Sequence, residues 1–191
     1  GVYRVLISVA GGANYAASDG DITDDNWTFP ITVYYIDRRW DEDNKQFIST
    51  DEYTTTVKKI TADTTELSGG WYIVYGAVTN ENRIVVNGTV QNPTNIILFD
   101  GARLDAKSGI EVSEENALNI YGQNNNTGKI AANVNDDLSD FCDCAAIGGN
   151  SGMTGGKIPV YGGSVTAASA NGAGIGGGAS GKGADGGITL S

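Results

Sequence analysis

Short apolar runs separated by turn residues cover most of the chain, and their spacing changes character partway along it. The first runs are Tyr3 to Val9, closed by Gly11 and Gly12, and Phe29 to Ile36. In the second, alternation puts Ile31, Val33 and Tyr35 on one face and Thr32, Tyr34 and Ile36 on the other, which is the period of a strand. A charged turn, Asp41-Glu42-Asp43-Asn44, leads to Phe47-Ile48 and then to Tyr53 through Ile60. No helical stripe of apolar residues occurs here, so the pattern predicts a small antiparallel sheet or half-sandwich.

From Gly70 the runs shorten. Trp71 to Val78, Arg83 to Val90, Asn95 to Phe99, Gly109 to Val112, Ala117 to Tyr121 and Gly128 to Ile130 each read as one strand. Their centres lie roughly 10 to 14 residues apart, too close for crossover helices. The last part repeats itself. Ala146-Ile147-Gly148-Gly149 answers to Gly174-Ile175-Gly176-Gly177, and Gly155-Gly156-Lys157-Ile158 answers to Gly186-Gly187-Ile188. A repeat of roughly 28 to 30 residues, with apolar triplets between paired glycines, is the mark of a solenoid. Ile147 should then stack on Ile175, Ile158 on Ile188 and Val160 on Leu190, about 4.8 Å apart in parallel strands. Pro159 disagrees, because it cannot donate to a ladder. Either its position faces no neighbour or the strand is shorter.

Composition sharpens the division. All three tryptophans and most tyrosines precede residue 76, whereas glycine crowds the last fifty residues or so. We therefore expect an all-β chain in which residues 1–68 form a β-rich cap or small sandwich-like region and residues 69–191 a parallel β-helix. The strand Ile188–Leu190 lacks the continuation that follows Val160, so the C-terminal end is expected to run into, or be covered by, further chain. The opening at Gly1 suggests a mature or trimmed fragment.

Charge narrows the partners. A formal net charge of −11 argues against nucleic acid and anionic membranes, and no run of about 18 apolar residues exists to span a bilayer. Histidine is absent, which removes Ser-His-Asp, Cys-His and His-metal chemistry. Cys142 and Cys144 are separated by one residue, too short a gap for an unstrained bridge, and read as two thiols. With no third cysteine they cannot complete a zinc site.

The remaining candidates are loops and rings. Asp136, Asp137, Asp140 and Asp143 interrupt the coil as an acidic loop, and a second acidic cluster runs from Asp19 to Asp25. Calcium is the one cofactor such loops suggest, but neither has the EF-hand spacing or the β-roll nonapeptide, so solvated loops and no cofactor are the expectation. Gly174 to Gly178 lacks the Lys-Ser/Thr pair of a phosphate loop and reads as corner glycines. Exposed rings are the usual platform for sugars, whose C–H faces stack on them. Trp40, beside Arg38, Arg39 and Asp41, is the foremost such ring, followed by Tyr34 and Trp27.

From Leu67 onward the chain resembles the parallel β-helix segments of large secreted proteins from gut and other anaerobic bacteria. The likeness rests on Leu67-Ser68-Gly69-Gly70-Trp71-Tyr72, Arg83-Ile84 with Val86 and Gly88, and Leu98-Phe99-Asp100-Gly101-Ala102. It continues through Leu118 with Ile120-Tyr121-Gly122-Gln123, Thr127-Gly128-Lys129, and the two Ile-Gly-Gly motifs. It covers about the last two thirds of the chain. It implies a right-handed helix, a secreted or cell-surface bacterial location, and adhesion or carbohydrate binding, with no fixed set of functional residues. The function expected is thus a non-catalytic surface module whose partner is a glycan or a host or cell-surface protein. A polysaccharide lyase or glycosidase on the same scaffold, or a spacer without ligand, are the alternatives.

Overall fold

The computed structural model describes residues 32–54, 56–134 and 143–181, together with the backbone of 188–190. All of them belong to one compact unit, Ile31–Ser191. Among the described residues every regular element is a strand, and no helix is long and apolar enough to cross a membrane.

Two long strands come first, β1 (Val33–Asp41) and β2 (Gln46–Thr54), followed by the short β3 (Val57–Lys59) and β4 (Glu66–Leu67). Thirteen more follow in a fixed rotation. One triplet is β5 (Gly70–Val74), β6 (Ala77–Asn80) and β7 (Ile84–Val86), and the next is β8 (Thr94–Leu98), β9 (Arg103–Ala106) and β10 (Ile110–Glu111). Then come β11 (Leu118–Gly122), β12 (Lys129–Val134) and β13 (Ile147–Gly148), and β14 (Ile158–Val160), β15 (Ser164–Ser169) and β16 (Ile175–Gly176). The last strand is β17 (Ile188–Leu190). From β4 onward every third strand pairs in parallel, and β3 joins β5, giving a first sheet in the order β17-β14-β11-β8-β5-β3, a second β16-β13-β10-β7-β4 and a third β15-β12-β9-β6. The run Trp71 to Val78 is two strands rather than one, because Gly76 turns the chain with φ of 72°.

The registers align like with like. In the second sheet Ile84, Ile110, Ile147 and Ile175 form one column. In the first, Tyr72, Ile96, Ile120 and Val160 form another, and Val78, Leu104, Ile130 and Val165 a third in the third sheet. All twelve belong to one hydrophobic core, Val165 and Ile175 as its partly buried members. The expected pairs Ile147 with Ile175, Ile158 with Ile188 and Val160 with Leu190 are all present. Pro159 lies within β14, and the pairing of that strand with the β11 segment is found at Ala117–Lys157 and Ile120–Val160, on either side of it. The missing N–H therefore thins the ladder without ending the strand.

The N-terminal edge of the stack lies before residue 69. β3 pairs with β5 and β4 with β7, and the third sheet has no strand at this level. Its place is taken by the turn Thr61–Thr64, whose carbonyls at Thr61 and Thr64 accept from the buried Asn80 amide at 3.1 and 2.7 Å. Further along, the half-buried Arg83 ties successive layers together. Its guanidinium donates to Asn150 Oδ1, Ser108 O and Ala145 O at 2.9, 2.9 and 3.2 Å. Burial lowers its pKa, and Glu111 partly opposes this. Cys144 is disulfide-bonded, which corrects the reading of two thiols. Spacing along the chain bears on how easily a bridge closes, not on whether a cysteine is oxidised.

Candidate binding surface

The hairpin β1–β2 is in register along its whole length, from Val33 opposite Thr54 to Asp41 opposite Gln46. Its turn is built by Asp41, whose Oδ1 accepts from the amides of Asp43 and Asn44 at 3.0 and 3.1 Å while Oδ2 accepts from Asn44 Nδ2 at 2.7 Å. Those bonds, first the Asn44 side chain, hold the Asp41 carboxyl below its usual range. Lys45 closes the turn with φ of 52°. The sequence cue was the Asp-Glu-Asp-Asn string, since short Asx side chains mimic a backbone turn.

One face of the hairpin packs on the outer face of the first sheet. Val33 and Tyr35 bury themselves against Ile97 and Tyr121, with Trp71, Ile73 and Tyr161 around them. Tyr35 lies 4.6 Å from Trp71 and 4.8 Å from Tyr121 between ring centroids, and Tyr121 stacks on Tyr161 at 4.9 Å. Burial, and then the neighbouring Tyr161, push the Tyr121 phenol up. Arg39 covers the Tyr161 ring at 5.6 Å and pairs with Asp37 at 2.6 Å. The hairpin therefore clads the side of the stack, whereas the residues across its N-terminal edge are those of β3, β4 and the intervening turn.

The opposite face carries the candidate platform. Cross-strand partners point the same way, so Tyr34 meets Tyr53 with centroids 5.9 Å apart and Trp40 meets Phe47 edge-to-face at 5.0 Å. Trp40 is 44% exposed, Phe47 56% and Tyr53 62%. Tyr34 and Trp40 share this face but stand six residues apart, about 20 Å along a strand. They are two ring pairs rather than one pocket. Phe47 and Tyr53 were not singled out from the sequence; pairing the strands across the Asp41 turn would have found both. Trp27 lies outside the described residues. So do Asp136, Asp137 and Asp140, and the backbone carbonyl of Asp143 accepts from Ala179 N at 2.7 Å. Among the described residues no cluster of three or more metal-ligating side chains occurs. Of the other rings, Tyr72 is buried, with its hydroxyl accepting from Ser68 N at 3.0 Å, and Tyr75 is exposed against Phe99.

Between the two ring pairs, Arg38 reaches the stacked corners that join the first sheet to the third. It donates to Gln123 O at 3.2 Å and Asn126 Oδ1 at 3.4 Å. Gln123 Nε2 donates to Tyr34 O at 3.1 Å. Asp100 clamps the same corners, accepting from Asn125 N and Nδ2 at 3.1 Å each and from Thr127 N and Oγ1 at 3.2 and 3.3 Å. Burial raises the Asp100 pKa, but these four bonds outweigh it and hold the carboxyl below its ordinary range. A depressed carboxylate stabilises the fold above the unfolded-state pKa, and the benefit is lost as pH falls through the folded-state value. Asp100→Asn should therefore cost about 1 kcal/mol at pH 7, after allowance for solvent screening. In melts at decreasing pH the gap to wild type should close below the usual aspartate range.

No protein-family model, curated protein or solved structure matches this chain.

Proposed function

We propose that this chain is a right-handed parallel β-helix in a secreted or cell-surface bacterial protein, and that it serves as a non-catalytic module binding saccharides on its hairpin. The strand rotation supports the architecture: each triplet returns to the same three sheets, and crossovers between parallel strands of one sheet are right-handed in about 98% of cases. The bonded state of Cys144 supports an oxidising compartment. Three carboxylates near the hairpin, Asp37 with Arg39, Asp41 with the turn and Asp100 with the corners, are already engaged, which takes them out of acid–base work.

The observation that carries the reading is the exposed Trp40–Phe47 pair. The core contains neither ring, and an apolar pair of this size left in water at a hairpin end is a surface kept for a ligand. Aromatic anchors contribute about 2 kcal/mol to a binding site, which is roughly 30-fold in Kd. On a saccharide array the wild-type protein should bind a discrete set of glycans, and Trp40→Ala should weaken that binding by about this factor. Wild-type protein that binds no saccharide would sink the reading and leave the spacer.

A further inference from the structure

On the outer face of the third sheet, register places Arg103 of β9 beside Lys129 of β12. Adjacent strands are about 4.8 Å apart, and like charges side by side in a sheet destabilise it. The arrangement is costly in a chain with only 12 basic residues against 23 acidic ones, which has ample acidic residues to intersperse. Asp105 relieves part of the cost by pairing with Arg103 at 2.7 Å, yet the Arg103 side chain remains 56% exposed. Lys129 is exposed and has no ion-pair partner among the described residues.

These two cations edge an open groove of about 540 Å³ whose other lining residues are Gly101, Ala102, Asn126 and Thr127. No carboxylate lines it. Asn126 Oδ1 is committed to Gly163 N and Arg38, which leaves the two Nδ2 hydrogens as donors. The groove thus offers an ammonium, a guanidinium and an amide to a ligand that accepts hydrogen bonds and carries negative charge. Asn126 also joins it to the hairpin, because Arg38, its partner, lies on the same strand face as Trp40.

We propose that the groove binds the carboxylate of an acidic saccharide, a hexuronate, whose neighbouring sugars extend over Arg38 toward Trp40. This rests on the saccharide reading of the hairpin and specifies its substrate class. Asp105 holds the Nε–Nη2 edge of Arg103, so a planar carboxylate meets the guanidinium on its Nη1 side, and Lys129 supplies the second charge. The net charge of −11 repels anions in general, so these cations select for one placed in the groove.

The test is calorimetric titration with an oligogalacturonate, its methyl-esterified form and a sulfated oligosaccharide. The uronate should bind more tightly than its ester and lose affinity as salt rises. Lys129→Gln and Arg103→Gln should each weaken uronate binding about fivefold, the scale of an exposed charge pair, and leave the ester unaffected. Asp105→Asn should strengthen it, because it releases Arg103. Equal binding of uronate and ester, unmoved by either cation variant, would overturn the groove and leave the hairpin reading in place. Uronate binding that depends on the cations but not on Trp40 would keep the groove and remove the hairpin. A sulfated ligand that outcompetes the uronate would overturn the carboxylate assignment, and binding of none of the three would overturn the groove. If the full array is also blank, the saccharide reading falls with it.

Discussion

Gly148→Ala is expected to lower the stability of the stack by about 4 kcal/mol, from two costs of similar size. Gly148 holds φ at 138°, a backbone region that L side chains rarely adopt. A Cβ built there would also overlap the carbonyl oxygen of Gly176, its register partner in the next strand. Backbone strain costs about 1–3 kcal/mol, and an overpacked contact that only backbone can relieve costs a similar amount. With an m-value of roughly 2 kcal/mol/M, the urea midpoint should fall by about 2 M. Gly152 is the control. Its φ is 73°, but a Cβ there meets nothing within 4 Å, so Gly152→Ala should show the strain alone. Equal losses at the two positions would mean that the close approach of the second-sheet strands is not what Gly148 serves.

Ile147→Ala should cost about 3 kcal/mol in the same measurement. The side chain is fully buried and stands between Ile110 and Ile175 in the column of the second sheet. Truncation removes contacts on both sides at once, and the neighbouring layers, fixed by their own ladders, cannot close the gap. Ile147→Val, which removes one methylene, should cost about 1 kcal/mol. Thr166→Ala on the exposed face of β15 should stay within about 0.5 kcal/mol. A similar, small effect for Ile147→Ala and Thr166→Ala would contradict the stacked columns as the source of stability.

The pairs Ile147 with Ile175, Ile158 with Ile188 and Val160 with Leu190 were legible in the sequence because two glycine-flanked motifs recur after 28 and 30 residues, which a parallel stack converts directly into register. Strands without such a marker were harder to see. β9, Arg103–Ala106, carries charges on its outward positions and only Leu104 and Ala106 inward, so its apolar signal is thin. The hairpin was half visible: the Asp41 turn and the alternation around Val33 gave its strands, but not what they pack on. That surface is made of Trp71, Ile97 and Tyr121, which lie 36 to 86 residues from Tyr35 and have no local signature. For the candidate site, charged neighbours singled out Trp40 among the rings without settling whether it packs or is exposed, whereas Phe47 became visible only through strand pairing. The groove at Arg103 and Lys129 could not be read at all, because it depends on a register 26 residues apart between two strands of different composition.

The most direct test of the account separates the ring pair from the fold. Trp40→Ala combined with Phe47→Ala should be measured for thermal unfolding and, by calorimetry, for binding to the best saccharide found on the array. The account predicts a melting temperature within about 3 °C of wild type, since these rings lie outside both cores, together with loss of detectable binding. A variant that melts far earlier while binding the saccharide as well as wild type does would contradict it, and would make the pair a structural clasp of the hairpin.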